Sequence, residues 1–243
     1  MFRKALNQNK LEKKDEFKWR SHEITRIEAF TDAVFAFAVT LLVVSLEVPN
    51  TYEELIHKMQ GFFVFAVGFT LLMQVWYGQF VFFRRYGMQD MKTILLNLLL
   101  IFVVLFYVYP LKFLFNLILP SGESAIAISA SQITGLMVIY GIGFVAIYTC
   151  FILLYHHAYK RSAEMDLTPI EIFDTRSKIF SNTIMACIGL LSILTALILP
   201  LGRAGLSGFV YILISPALTI YYSKRSNLRK ALFNPVEETN NEK

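Results

Sequence analysis

The chain has 243 residues, of which 56% are hydrophobic, 15% aromatic and only 17% charged, with a formal net charge of +5 and a mean hydropathy of +0.52. A soluble domain is closer to half apolar and a quarter charged, so this balance excludes an ordinary soluble protein and points to a polytopic membrane protein. The basic pI near 9.1 does not call for nucleic acid, because basic loops are what the positive-inside rule predicts for cytoplasmic connections.

Residues 1–25 are polar and basic, with Lys10, Lys13, Lys14, Lys18 and Arg20, and with Phe17 and Trp19 suited to an interface. This stretch is expected to be a cytoplasmic tail, partly disordered or lying on the membrane surface. The first apolar run, 26–46, reads RIEAFTDAVFAFAVTLLVVSL and ends before Glu47-Val48-Pro49. It is too long for a signal-peptide core, is interrupted by Asp32 and lacks a small-residue cleavage site, so it reads as an uncleaved first span. A short acidic loop with Glu53 and Glu54 precedes span two, at 55–83, which closes on Arg84-Arg85.

Span three is expected over 93–118, kinked by Pro110 and closed by Pro120, with Lys112 snorkelling to the headgroups. Span four, at 133–155, carries Gly135, Gly141 and Gly143, which suit close helix packing. The polar stretch 159–178 contains Thr168-Pro169-Ile170-Glu171, a capping box with Pro at the first helical position. A helix starts there and runs into span five, 178–199, or turns at the surface first. Pro200 and Gly202 end it, and span six, 206–222, includes Pro216. Lys224, Arg225, Arg229 and Lys230 follow, then an acidic tail.

The resulting organisation is all-α: a basic N-terminal tail at 1–25, a six-helix transmembrane domain at 26–222 and a C-terminal tail at 223–243. With both termini cytoplasmic, 20 of the 23 Lys and Arg residues lie inside, leaving Lys58, Lys112 and Arg203 outside. That asymmetry fixes the expected orientation. Cys150 and Cys187 fall in apolar runs and read as small hydrophobes rather than a disulfide or metal pair.

Ionisable groups within spans mark functional sites, and Asp32 in the first span is the conspicuous one. At ~100° per residue, Phe37, Leu41 and Val44 share a stripe with Thr40 at its edge, and Asp32 lies roughly 140° from Phe37. Such a stripe serves packing, lipid contact or a pore lining. No other span has a charge in its middle, so an ion path would run on a symmetry axis between subunits, lined by a repeated helix. Asp32 would then face its neighbours and need donors at its own depth. The expected polar cluster is Arg26, Thr31, Asp32, Trp76 and Asn97, with Tyr77 and Gln79 in the same layer. Arg26 also lies near the stripe by azimuth, where it would line the inner mouth.

Arg26-x-x-x-Phe30-Thr31-Asp32, followed by Ala-Val-Phe-Ala-Phe-Ala-Val-Thr-Leu-Leu-Val-Val, resembles the first-helix signature of the endosomal/lysosomal potassium channel family, and more closely its bacterial members. Trp76 and Asn97 resemble polar positions that support that motif. The resemblance covers the six-span layout, although only the first-helix motif is specific. It implies a homotetramer in a bacterial plasma membrane, surrounded by lipids, whose first helix lines a pore for potassium without a carbonyl filter. No cofactor beyond the permeant potassium ion is implied. The family's constriction positions correspond to Phe37, Thr40, Leu41 and Val44. Thr31 stands where Ser is usual and keeps the hydroxyl, and Phe37 stands where Ile or Leu is usual, implying a tighter constriction.

Three other readings compete. A secondary transporter would want broken helices and inverted repeats, for which Pro110 and Pro216 are the only hints. A non-conducting scaffold is compatible with Phe37. A membrane metalloenzyme would draw on His156-His157 with Asp166 or Asp174, but adjacent histidines face different sides of a helix, unlike i, i+4 ligands. The chain is expected not to be an enzyme.

Overall fold

The computed structural model describes residues 17–21, 23–43, 51–60, 62–118, 129–200 and 202–233. Among these the fold is all-helical. In chain order the elements are α1 (Arg26–Val43), α2 (Tyr52–Gln60), α3 (Phe62–Tyr86), α4 (Met91–Ile118), α5 (Ala130–Lys160), α6 (Pro169–Ile198), a 3₁₀ helix (Ala204–Leu213) and α7 (Ile214–Phe233).

Side chains set most of the helix starts. Thr25 and Glu28 form a reciprocal box at α1: the Thr25 N–H donates to Glu28 Oε2 at 2.7 Å and the Glu28 N–H to Thr25 Oγ1 at 3.3 Å. Asp90 opens α4 by accepting from the Thr93 N–H at 3.4 Å and from the Thr93 hydroxyl at 2.7 Å. Thr168 and Glu171 open α6, with Pro169 in its first turn. Each arrangement satisfies N–H groups that the first helical turn leaves without intrahelical partners. At the other end of α3, Gly87 adopts φ +58° and its N–H bonds back to Phe83 O at 2.8 Å, the left-handed ending that glycine permits.

Among the described residues five stretches are long and apolar enough to cross a membrane: 65–86, 91–111, 130–160, 169–198 and 204–233. The protein is a multi-pass membrane protein. The 18 described residues of α1 carry three charges, Arg26, Glu28 and Asp32. Apolar side chains such as Phe102, Phe106 and Ile198 are exposed on the single chain, as lipid or another subunit allows.

Several expected boundaries shift. The apolar run expected as span two lies in α3, over 65–86, while Gly61 between α2 and α3 lies outside the described residues. The segment YEELIHKMQ is amphipathic and carries Glu53, Glu54 and Lys58, which resist hydrocarbon. Glu53 and Glu54 therefore belong to a helix, while Glu47 and the 119–128 part of the next loop lie outside the described residues. Thr168 starts a single unbroken helix to Ile198. Span six is part 3₁₀, part α. Pro216 has no N–H for the Ile212 carbonyl, and its ring obstructs that carbonyl in α geometry, so the preceding turns tighten. The Ile214 N–H accordingly bonds to Tyr211 O, three residues back.

The α5–α6 hairpin is the most extensive helix pair. A Cβ at Gly141 would fall 2.3 Å from Ile193 of α6, and one at Gly143 would fall 2.2 Å from Tyr107 of α4. Gly135, expected to pack similarly, faces nothing within 4 Å among the described atoms. The core runs through Phe35 and Ala38 of α1, Phe82 and Phe83 of α3, Leu100 and Val104 of α4, and Phe151 and Leu154 of α5.

Residues 17–21 lie against this core as a strap. Phe17 is buried edge-on to Tyr86. The Arg20 N–H donates to Arg84 O at 3.0 Å, and the Arg20 guanidinium grips Glu171 through two bonds of 2.9 and 2.8 Å. The Lys18 N–H adds a third bond to the same carboxylate at 2.9 Å.

Candidate functional site

In α1, Glu28, Thr31, Phe35, Ala38 and Leu42 are buried. Their alternating spacing of three and four residues draws one stripe along the helix, packed against α3 and α4. The opposite azimuth carries Arg26, Ala33, Phe37 and Thr40, all exposed. Phe37 is 56% exposed and Phe30, beside it, 52%. Leu41 sits at the stripe's edge, half-buried and touching the core. Val44 lies outside the described residues. Thr40 donates its hydroxyl to Ala36 O at 3.0 Å, which leaves its oxygen lone pairs available on the exposed face.

The polar residues form two adjoining contacts on the flank and the buried side of α1. Trp76 of α3 donates its indole N–H to Asp32 Oδ1 at 2.7 Å. Asn97 of α4, fully buried, donates from Nδ2 to Thr31 Oγ1 at 2.8 Å, and Thr31 donates in turn to Ile27 O at 2.7 Å. Gln79 approaches Asn97 Oδ1 at 3.4 Å and completes the layer. Of the five residues expected together, Thr31, Asp32, Trp76 and Asn97 meet. Arg26 stands on the exposed face with no hydrogen-bond or ion-pair partner among the described residues, the alternative position its azimuth allowed.

Trp76 is itself held by aromatic stacking. Its ring lies 5.8 Å from Phe80 in a stacked arrangement, and Trp19 of the strap meets Phe80 edge-on at 6.1 Å. The strap is thus connected to the Asp32 contact through two rings.

A second polar centre occupies the α3–α4 connection and was not anticipated from the sequence. Asp90 Oδ2 lies 2.8 Å from His157 Nε2, and Asp90 Oδ1 lies 3.2 Å from Arg161. Burial works to raise the Asp90 carboxyl, but the hydrogen bonds from Thr93 and His157 outweigh it and hold it down at about 2. His157 is therefore committed to Asp90. Among the described residues no group of three or more His, Cys, Asp and Glu is arranged to hold a metal.

Within the subunit, a cavity of about 410 Å³ lies between α3, α4, α5 and the 3₁₀ helix. Its walls are almost wholly apolar, including Val104, Val108 and Ile147, and the polar side chains in its lining are Gln74 and the tyrosines Tyr107, Tyr140, Tyr148 and Tyr211. A desolvated cation finds too few oxygens there. The chain accordingly offers a helix with a polar anchoring side and an exposed apolar stripe with one hydroxyl, and among the described residues no comparable polar route runs through its core. Together these features define a helical membrane protein whose α1 is anchored on one side and exposed on the other.

Comparison with known proteins gives the family. Residues 26–107 match the model of the endosomal/lysosomal potassium channel TMEM175. A potassium channel of Marivirga tractuosa is 42% identical over 219 residues, covering 84% of this chain and 89% of that protein. A potassium channel of Chamaesiphon minutus is 28% identical over 127 residues, covering 49% and 63%. The crystal structure of a Thr→Ala variant of the potassium channel MtTMEM175, in complex with a nanobody–MBP fusion protein, superposes with a TM-score of 0.75 at 42% identity, covering 87% of this chain and 97% of that one. That of a lysosomal potassium-selective channel TMEM175 homologue from Chamaesiphon minutus gives 0.54 at 25% identity, covering 83% and 97%. The chain belongs to the TMEM175 family of potassium channels, a family of channels rather than enzymes.

Proposed function

We propose that the protein conducts potassium passively through a central pore of a homotetramer, each subunit contributing six spans with both termini cytoplasmic, in the plasma membrane of a bacterium. α1 lines the pore, and Phe37, Thr40, Leu41 and Val44 form its constriction. The observation that carries this reading is the two-sidedness of α1: its buried stripe is fixed to α3 and α4, while Phe37 and Thr40 stand exposed on the other side. The potassium channels among its relatives support it, and so do the Lys and Arg counts, 20 of 23 falling in segments that this six-span layout would place on one side.

Apolar rings gate by dewetting. An ion that passes a narrow ring of Phe37 side chains sheds part of its water, and potassium releases water more readily than sodium. The ring therefore prefers potassium without offering it ligands, and Thr40 returns an oxygen one turn further on. Asp32 plays no direct part in coordination. With Trp76, Thr31 and Asn97 it sets the rotation of α1 and hence the aim of the stripe. Arg26 and Phe30 flank the inner mouth.

Ion flux into liposomes under a potassium gradient, paired with native mass spectrometry, tests this. Wild type is expected as a tetramer passing potassium over sodium, and Phe37→Ala as a tetramer with severalfold higher flux and weaker discrimination. A folded tetramer silent in both forms would favour a non-conducting scaffold or a transporter.

A further inference from the structure

Where the strap, the last turn of α3, the first turns of α6 and the second half of α7 meet, the structure forms an open cleft of about 430 Å³. Its lining includes four cations, Arg85, Lys178, Arg225 and Arg229, and a single carboxylate, Asp174. All four cations lie within electrostatic reach of that carboxylate. Asp174 pairs with Arg229 at 3.5 Å, so three positive charges exceed what the carboxylate can balance.

The cations are held in place by neutral groups. Arg225 lies over the Phe173 ring at 3.6 Å and donates to the Ser177 hydroxyl and to Phe173 O. Lys178 lies over the Tyr222 ring at 5.6 Å, and Arg85 over Phe17 at 4.8 Å. Aromatic faces and hydroxyls orient positive charge without neutralising it. Arg225 and Arg229 also join α7 to α6, but Arg85 and Lys178 have no carboxylate partner among the described residues and contribute little to that joint. Their presence is unexplained by packing alone.

The cleft is at headgroup depth, since Arg85 is in the last turn of α3, one residue from its end. Basic pockets between transmembrane helices at this level suit phosphate, through arginine forks and a lysine point charge. We propose that this cleft binds a phosphate group, carried by an anionic phospholipid headgroup or by a soluble polyphosphate. The site is separate from the α1 stripe and does not depend on the route the ion takes.

The test uses the full-length protein in uncharged detergent, with dioctanoyl phosphatidylglycerol, dioctanoyl phosphatidylcholine and inorganic pyrophosphate as probes, and reads binding by thermophoresis and thermal shift. Phosphatidylglycerol is expected to bind saturably, and Arg85→Gln/Lys178→Gln to weaken it about tenfold or more, with phosphatidylcholine binding weakly in both. Ser226→Glu, which adds a carboxylate to the lining and leaves all four cations in place, is expected to weaken it similarly and serves if the double variant does not fold. Pyrophosphate that binds wild type, competes with the lipid and loses affinity in the same variants assigns the site to soluble phosphate. Pyrophosphate that does not compete assigns it to the headgroup. Binding that is equal in wild type and both variants, or absent from wild type for both anionic probes, overturns the site.

Discussion

Asn97 is fully buried between α1 and α4, with Thr31 on one side of its amide and Gln79 on the other. Asn97→Leu keeps the volume but leaves the Gln79 amide without that acceptor, at a cost of about 1–3 kcal/mol, tempered in a membrane where such bonds average ~0.6 kcal/mol. Trp76→Phe removes the donor to Asp32, which is exposed and can turn to water. Its expected effect on thermal stability is under about 1 kcal/mol, whereas the proposed role of this contact in setting the rotation of α1 predicts a larger effect on flux. Melting curves in detergent alongside liposome flux separate the two. At Asp90 the sign runs with acidity. A carboxyl held at about 2 against an ordinary 3.8 stabilises the fold fully above about pH 4 and ceases to do so as the pH falls towards 2. Asp90→Asn is expected to lower the melting temperature at neutral pH and to flatten its decline between pH 4 and 2. The meeting of Asp32 with Trp76 was legible because both depths follow from counting residues along helices. Arg20 and Glu171 lie 151 positions apart in a bond, and Asp90 finds His157 across 67. Neither separation leaves a periodic trace, so neither pairing was legible.

The start of α6 was readable, because Thr168 and Glu171 close on their own turn. The box formed by Thr25 and Glu28 follows the same pattern. Tertiary context decided the rest. Small residues in apolar helices suggest close packing, but nothing in the sequence distinguishes Gly135 from Gly141 and Gly143. The structure does: only the latter two would drive a Cβ into a neighbour. Gly141→Ala and Gly143→Ala are therefore expected to destabilise by about 1–3 kcal/mol through overpacking. Gly135→Ala is expected to be neutral or to stabilise by up to about 1 kcal/mol. Thermal unfolding of the three variants checks the contrast. The tightening of the chain before Pro216 was likewise hidden. A proline signals a fault in a helix, but not whether the helix bends, stops or narrows. Here Ala204 and Ser207 are buried, and the Ser192 hydroxyl of α6 claims the Ser207 carbonyl, which suits a narrower coil lying close to its neighbour.

The molecule has an uneven build. Among the described residues α5 and α6 form the broadest contact, interlocked through Gly141 and Gly189, whereas α1 rests on α3 and α4. This architecture was legible as a succession of apolar runs, and the first-helix motif pointed to the family. What holds residues 17–21 to the body was not legible. The strap from Phe17 to Ser21 is bonded to Arg84 and Glu171, so α1 is pinned just before its first turn. Were α1 to tilt about Arg26, against the contacts its buried stripe makes with α3 and α4, it would act as a lever. Its 18 residues reach about 27 Å. A tilt of ~10° would carry its far end by ~5 Å and Phe37 by ~3 Å, while Arg26 stays almost still. The narrow part of the proposed passage therefore sits on the long arm, where a small turn at the base changes bore most.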